Sequence, residues 1–143
     1  MSFDLYIENA ITWAKARVNS PEYAFKCLAF VEDAYEESNN VEIFGGSTAK
    51  ESADEYNASE NAGFPPPGAF VFYDASGTLF NEYKNYGHVG LHIGDGDVVH
   101  AWDRIRIDNY LELENLSSAP GWSNPKYIGW TPAERIFAGY RKK

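Results

Sequence analysis

The spacing of apolar residues changes once along this chain, at a proline-rich segment covering residues 63–68. Before that segment, apolar positions recur every three or four residues, which is the period of amphipathic helices. A first helix is predicted to follow an N-cap at Ser2, and a second is predicted over residues 26–37. A third helix is predicted to begin at Thr48, because Glu51 stands three residues later in a capping-box arrangement.

After the proline-rich segment, apolar and polar residues alternate, which is the period of half-buried strands. The strands predicted from this alternation cover residues 69–74, 88–93, 98–103, 104–108, 127–130 and 136–140. Helices followed by strands are typical of α+β proteins. A length of 143 residues predicts one domain, with a helical half at about residues 1–62 and a sheet half at about residues 69–140.

The three histidines of the chain, His88, His92 and His100, all lie in the stretch GHVGLHIGDGDVVHAW at residues 87–102. Strand alternation places His88 and His92 on the same face. Their spacing along a strand is about 13 Å, so the two rings cannot share one small site. A metal site with this His-x-x-x-His spacing would need a helix, which the glycines of the stretch disfavour. No metal site is therefore predicted.

The turn between the two strands decides whether His100 faces His88. A two-residue turn at Asp95 and Gly96 would pair residue 91 with residue 100 and send His100 to the opposite face. A three-residue loop with Gly96 in the left-handed region would pair residue 90 with residue 100 instead. The two histidines would then lie diagonally on one face, about 7 Å apart at their α-carbons.

Two imidazoles on one face have two interpretations. Either both are polar residues on a solvated sheet face, or one is a base that the other orients towards a nucleophile. Cys27 is the only cysteine of the chain. At the start of the second helix, its thiol would lie beside unpaired backbone N–H groups and the positive end of the helix dipole, which lower a thiol pKa. A lone cysteine on the apolar face of a helix is also typical of a small buried hydrophobe.

Three stretches together resemble the NlpC-type (papain-like) cysteine peptidases, which act on bacterial cell-wall peptides. They are KCLAFVEDAY, PPPGAFVFYD and GHVGLHIGDGDVVHAW, and the resemblance spans about residues 20–140. It implies N-terminal helices packed against an antiparallel sheet, with Cys27 as the nucleophile and His88 as the general base and acid. It further implies that His100 orients His88, whereas His92 stands where the family has no catalytic residue.

The chain departs from the family around the cysteine. An aspartate before it and Ser-Gly after it are replaced by Lys26, Leu28 and Ala29, and an upstream tyrosine of the family is absent. Tyr23 is the nearest candidate to assist at the oxyanion. Trp102 could border the groove and stack on a sugar or peptide.

Core packing is predicted for the two later tryptophans, Trp122 and Trp130. Neither is assigned to the site.

The resemblance implies a hydrolase that cuts an amide bond in peptidoglycan stem peptides through a thioester, with the γ-D-glutamyl to diamino acid bond as a candidate. Alternatives are a CHAP-like N-acetylmuramoyl-L-alanine amidase and a catalytically inactive wall-binding module. A further alternative is an acyltransferase or thioester hydrolase on the same Cys-His-His set, for which the apolar Leu28 could suit an acyl chain. No cofactor is expected.

The net charge of −9 is concentrated in residues 1–60, which carry twelve acidic and four basic residues. Such a surface disfavours nucleic acid and anionic membrane surfaces as partners, so a peptidoglycan peptide is the expected partner. The sequence begins without the pattern of a signal peptide. The expected location is therefore the cytoplasm, or the cell wall by a route that needs no signal peptide. The sequence gives no indication of oligomeric state.

Overall fold

The computed structural model describes residues 3–143. The helices are α1 (Asp4–Lys15), α2 (Cys27–Asn39), α3 (Ala49–Glu55) and α4 (Ala133–Ile136), with 3₁₀ turns at Ala58–Glu60 and Glu112–Asn115. The strands are β1 (Val41–Glu42), β2 (Phe70–Asp74), β3 (Ser76–Leu79), β4 (Glu82–Asn85), β5 (His88–Gly94), β6 (Asp97–Ala101), β7 (Ile105–Asn109), β8 (Lys126–Thr131) and β9 (Arg141–Lys142).

The three predicted helices are present, and local signals set two of their ends. The Thr48 hydroxyl accepts a hydrogen bond from the Glu51 N–H at 3.1 Å, so the predicted cap of α3 is confirmed. Asn40 ends α2 in the left-handed conformation, with φ of 53°. Ser2, the predicted N-cap of α1, lies outside the described residues. In residues 3–143, the helices are all too short or too polar to cross a bilayer.

The main sheet has five antiparallel strands in the order β7-β6-β5-β2-β8. The apolar face of α2 packs on one side of it, and α1 packs on α2. The core between them includes buried aromatic and aliphatic side chains from both layers, namely Phe30, Val31, Tyr35, Phe70, Phe72, Val89 and Leu91. The fold is therefore α+β, as predicted, with N-terminal helices on an antiparallel sheet.

The predicted strand over residues 136–140 is wrong. Pro132 instead caps a helical turn, in which the Ile136 N–H donates to the Pro132 carbonyl at 3.1 Å. Ile136 and Phe137 enter the core from this turn. Two adjacent apolar residues fit a helical turn as well as a strand, so alternation alone could not separate the two. The hairpin of β3 and β4 was not predicted, and most of its residues are exposed.

The turn between β5 and β6 also differs from its prediction. Asp95 and Gly96 form a two-residue turn with φ of 56° and 85°, and positive φ at both positions is typical of type I′. A bulge at Ile93 then adds one residue to β5. Beyond the bulge, residue 91 pairs with residue 99, which is the register predicted for the three-residue loop. The predicted three-residue loop is therefore wrong, but the predicted strand register is confirmed. As a result, His100 shares a face with His88.

Candidate active site

A cavity of about 880 Å³ opens where the start of α2, the start of α3 and the ends of β5 and β6 meet. Three of the predicted site residues line it: Cys27, His88 and Trp102. His100 lies behind His88 and is fully buried. Among the described residues, no group of three or more acidic, histidine or cysteine side chains is arranged to hold a metal ion.

Cys27 is the first residue of α2, and the loop before it is tied to the sheet. The Phe25 N–H donates to the Trp102 carbonyl at 2.8 Å. Farther upstream, the Ile105 N–H donates to the Ser20 carbonyl at 2.9 Å. Phe25 has a left-handed φ of 61°, which is rare for a bulky residue. These contacts hold the beginning of α2 beside the end of β6.

The thiol of Cys27 lies among backbone N–H groups, those of Leu28, Val89 and Cys27 itself, and each favours the thiolate. Burial is the larger effect and raises the thiol pKa above its ordinary value. The predicted lowering of this pKa is therefore wrong, because burial destabilises the thiolate more than the backbone N–H groups at the helix start stabilise it. The resting cysteine is a neutral thiol.

Cys27 and His88 share one pocket, and Val89, whose N–H faces the thiol, is the next residue after His88. No hydrogen bond joins the thiol to the His88 ring in this structure. Direct proton transfer between them stays a prediction.

The two imidazoles of the predicted pair are in contact. Nε2 of His88 lies 2.9 Å from Nδ1 of His100, and the rings are edge to face at 85°. Gly90 makes this approach possible. A Cβ at Gly90 would stand 3.0 Å from Cβ of His100 and would overlap the Val98 side chain.

Asp108 on β7 continues the pair and was not predicted. Its Oδ2 lies 2.7 Å from Nε2 of His100 and accepts from Nε of Arg106 at 2.7 Å. A second Arg106 nitrogen donates to the other carboxylate oxygen at 3.1 Å. The bonds from His100 and Arg106 lower the pKa of Asp108 to about 2. The sequence signal was alternation on β7, which places Arg106 and Asp108 on one face, opposite His100 in the pairing.

These contacts fix which ring nitrogens carry protons. Asp108 is ionised and can only accept, so His100 donates from Nε2. Burial lowers the pKa of both His100 and His88, which are therefore neutral near pH 7. A neutral His100 leaves Nδ1 as an acceptor, and His88 must donate to it from Nε2. The remaining His88 nitrogen, Nδ1, has a free lone pair.

His92 lies at the other end of the same strand. It is fully buried, and its Nε2 accepts from the Gly96 N–H at 2.9 Å. Its ring packs edge to face on Phe64, with centroids 5.5 Å apart. His92 thus holds the turn of the hairpin, far from the cysteine pocket.

The structure does not bring Tyr23 into the pocket lining. Its hydroxyl donates to Asp33 at 2.6 Å, and its ring packs against Trp13 and Phe30. Trp102 does line the pocket, with its ring edge to face with His88 at a centroid distance of 5.2 Å.

The prediction of core packing for Trp122 is wrong. It lines the pocket and packs over Gly77, where β3 has no side chain to keep it away. Trp130 is half-buried and packs against a second cluster of apolar residues beneath the sheet. Sequence alone could not separate these two tryptophans, because the hairpin that carries Gly77 was not predicted.

The pocket wall is mostly apolar, and it contains the residues in which the chain departs from the family pattern. The apolar lining includes Leu28, Ala29, Leu79, Tyr86 and Trp122. The charged side chains in the lining are Lys26 and Glu32. Both stand on or next to α2, on either side of the cysteine in sequence.

Comparison with known proteins agrees with this architecture. The model of the NlpC/P60 family matches residues 12–119. The solved structure of NlpC1 from Trichomonas vaginalis is similar, with a TM-score of 0.53 and 18% sequence identity over 87% of this chain. The chain covers 44% of that protein's chain, so the likeness concerns the fold of less than half of it. No curated protein matches the sequence.

Proposed function

The chain belongs to the NlpC/P60 family, and from this premise we propose that it cleaves an amide bond in peptidoglycan stem peptides. Membership supports a hydrolase of the cell-wall peptidase type. The observation that supports the particular reaction is the pocket shared by Cys27 and His88, with His100 and Asp108 in line behind His88. The γ-D-glutamyl to diamino acid bond is the candidate bond.

The proposed reaction starts from a neutral thiol and a neutral imidazole. Nδ1 of His88 takes the proton of Cys27 while the sulfur attacks the carbonyl carbon of the substrate amide. The positive charge that forms on His88 is stabilised through His100 by the carboxylate of Asp108. His100 and Asp108 are therefore positioning residues, since they act through His88.

The oxyanion that forms on the carbonyl oxygen needs a donor. The backbone N–H of Cys27, in the first turn of α2, has no partner within the helix and is the proposed donor. One such donor typically stabilises the transition state by about 3–4 kcal/mol. The carbon–nitrogen bond then breaks, and His88 returns its proton to the leaving amine. Water, deprotonated by His88, hydrolyses the thioester and restores the thiol.

Digestion of purified peptidoglycan, followed by mass analysis of the fragments, tests this proposal. We expect new soluble fragments whose masses and end groups identify one cleaved amide bond. Cys27→Ala should release none of them while retaining the thermal stability of the wild type. Peptidoglycan that stays intact with folded wild-type protein, or equal cleavage by Cys27→Ala, would contradict the proposal.

Acyl transfer or thioester hydrolysis is a second candidate, favoured by the apolar side chains in the pocket wall, Leu28, Leu79 and Trp122. The same cysteine would accept an acyl chain and pass it to an amine or to water. Incubation with a long-chain acyl thioester distinguishes the two functions. A stable mass increase on Cys27 together with no peptidoglycan cleavage would favour acyl transfer.

A further inference from the structure

The carboxylate of Glu32 faces the same pocket as the nucleophile. Glu32 lies one helical turn beyond Leu28 on α2, and residues four apart occupy one face of a helix. Both residues line the cavity. From the other side, Glu32 is approached by the loop at Gly45, where a Cβ would lie 3.4 Å from the Glu32 carboxylate.

Two neighbouring acids on α2, Asp33 and Glu36, have partners, whereas Glu32 has none among the residues that the structure describes. Asp33 accepts from the Tyr23 hydroxyl at 2.6 Å, and Glu36 accepts from the Ile43 N–H at 2.9 Å. Within residues 3–143, no hydrogen bond or ion pair reaches the carboxylate of Glu32. Lys26 lines the same pocket, yet it forms no ion pair with Glu32 there. The carboxylate is thus left for a group from outside the chain.

The surroundings of Glu32 favour a positively charged ligand. Burial, together with the charges of Glu36 and Asp33, raises its pKa to about 7. On the side of α3, the Glu32 carboxylate is near the hydroxyls of Tyr56 and Ser52. Both hydroxyls have other partners, since Tyr56 donates to the Phe44 carbonyl and Ser52 accepts from the Gly46 N–H. A cation at this position would relieve the repulsion among the acids and make the ionised form favourable.

We propose that Glu32 binds a primary ammonium group of the substrate and thereby selects amine-bearing peptides. This inference rests on the proposed function. Five residues of α-helix rise about 7.5 Å, and an extended peptide covers about 3.5 Å per residue. The ammonium group should therefore lie about two residues from the amide bond that Cys27 attacks.

The test measures binding of one stem peptide to the Cys27→Ala protein by titration calorimetry. The probes are the peptide with free amines and the same peptide after acetylation of its amines. We expect the free amine form to bind about 10- to 100-fold more tightly, as for a charge-assisted pair. Glu32→Gln in the same background should remove this preference. Glu37→Gln, an exposed acid on the same helix, is the matched control and should keep it.

Either of two results would overturn the inference. One is a preference for the free amine that persists in Glu32→Gln, and the other is equal or absent binding of both probes to Cys27→Ala. The proposed function is judged separately, by cleavage of peptidoglycan with the wild-type chain. Cleavage without an amine preference would remove only the role of Glu32, whereas absence of cleavage would remove the reaction.

A stability measurement distinguishes a ligand-binding carboxylate from a structural one. Because the folded pKa of Glu32 is raised from 4.5 to about 7, its ionisation destabilises the fold as the pH rises through this interval. Glu32→Gln should therefore raise the melting temperature at pH 8 and leave it nearly unchanged at pH 4.5. A structural role predicts the opposite, a lower melting temperature at pH 8.

Discussion

The two ends of the β5–β6 hairpin carry the same kind of residue in different surroundings. At one end, His88 contacts His100, which contacts an ionised Asp108, and His88 faces a pocket with a cysteine. At the other end, His92 accepts a hydrogen bond from the backbone of its own turn. All three rings are buried, so burial does not separate them.

The difference lies in what each ring leaves free. His88 is hydrogen-bonded through Nε2 to His100 on the next strand, which leaves its Nδ1 as a free base in the pocket that Cys27 lines. His92 instead uses Nε2 to accept from the Gly96 N–H, a contact that stabilises the turn of the hairpin. The role of a histidine in this hairpin is therefore set by the groups that contact its ring rather than by the sheet face on which it lies.

Asp108→Ala is expected to have the largest effect among tests of the relay behind His88. Without the carboxylate, His100 is free to carry its proton on Nδ1, which would turn the lone pair of His88 away from Cys27. We expect kcat/KM to fall about 10²- to 10³-fold, mostly in kcat, as when a base loses its orienting group. Asp97→Ala, an exposed residue of β6, should change it little.

Nitrogen-15 NMR of the histidine rings checks the reason for that fall. The wild type should show His100 and His88 protonated on Nε2 near pH 7.5, and Asp108→Ala should show His100 in mixed forms. A wild-type His100 protonated on Nδ1 would contradict the relay.

Gly90→Ala should disrupt the packing of β5 against β6 beside the histidine pair. The new methyl group would overlap Val98 and crowd Cβ of His100, so β6 has to shift. Overpacking of this kind costs about 1–3 kcal/mol of unfolding free energy. Gly63→Ala is the control, since a Cβ there meets nothing within 4 Å. Equal urea midpoints for the two variants would show that the close approach at Gly90 is not required.

The smallest expected effect is that of a single histidine on the pH dependence of stability. Burial lowers the pKa of His88, His92 and His100 below 6.5, so the unfolded chain takes up protons that the folded chain does not. Stability is therefore fully present above pH 6.5 and falls below it, by up to about 1.4 kcal/mol per pH unit for each histidine. Urea unfolding between pH 7.5 and 5 measures this slope. His92→Gln should reduce it, and an unchanged slope would mean that His92 is not held neutral.

Several features that depend on residues close together in the sequence were predicted correctly. The apolar face of α2 and the cap at Thr48 follow from spacing, and the shared face of His88 and His100 follows from the hairpin register. The register survived a wrong turn because the bulge at Ile93 compensated for it.

Residues whose role depends on distant contacts could not be predicted in this way. Asp108 matters because β7 pairs with β6, and of the adjacent acids Glu32 and Asp33, it is Glu32 that lines the pocket while Asp33 accepts from Tyr23. The direction of the shift in the Cys27 pKa depends on how far the thiol is buried, which the sequence does not reveal. In each case the residue type was visible and its surroundings were not.

The most direct test of the difference between the two ends is a matched pair of substitutions, His88→Gln and His92→Gln. The initial rate of stem-peptide cleavage should be measured for both and divided by the folded fraction from circular dichroism. The assignment of His88 as the base predicts a loss of at least about 10³-fold in His88→Gln and a rate within about threefold of wild type in His92→Gln. An equal loss in both variants, or a retained rate in His88→Gln, would contradict it.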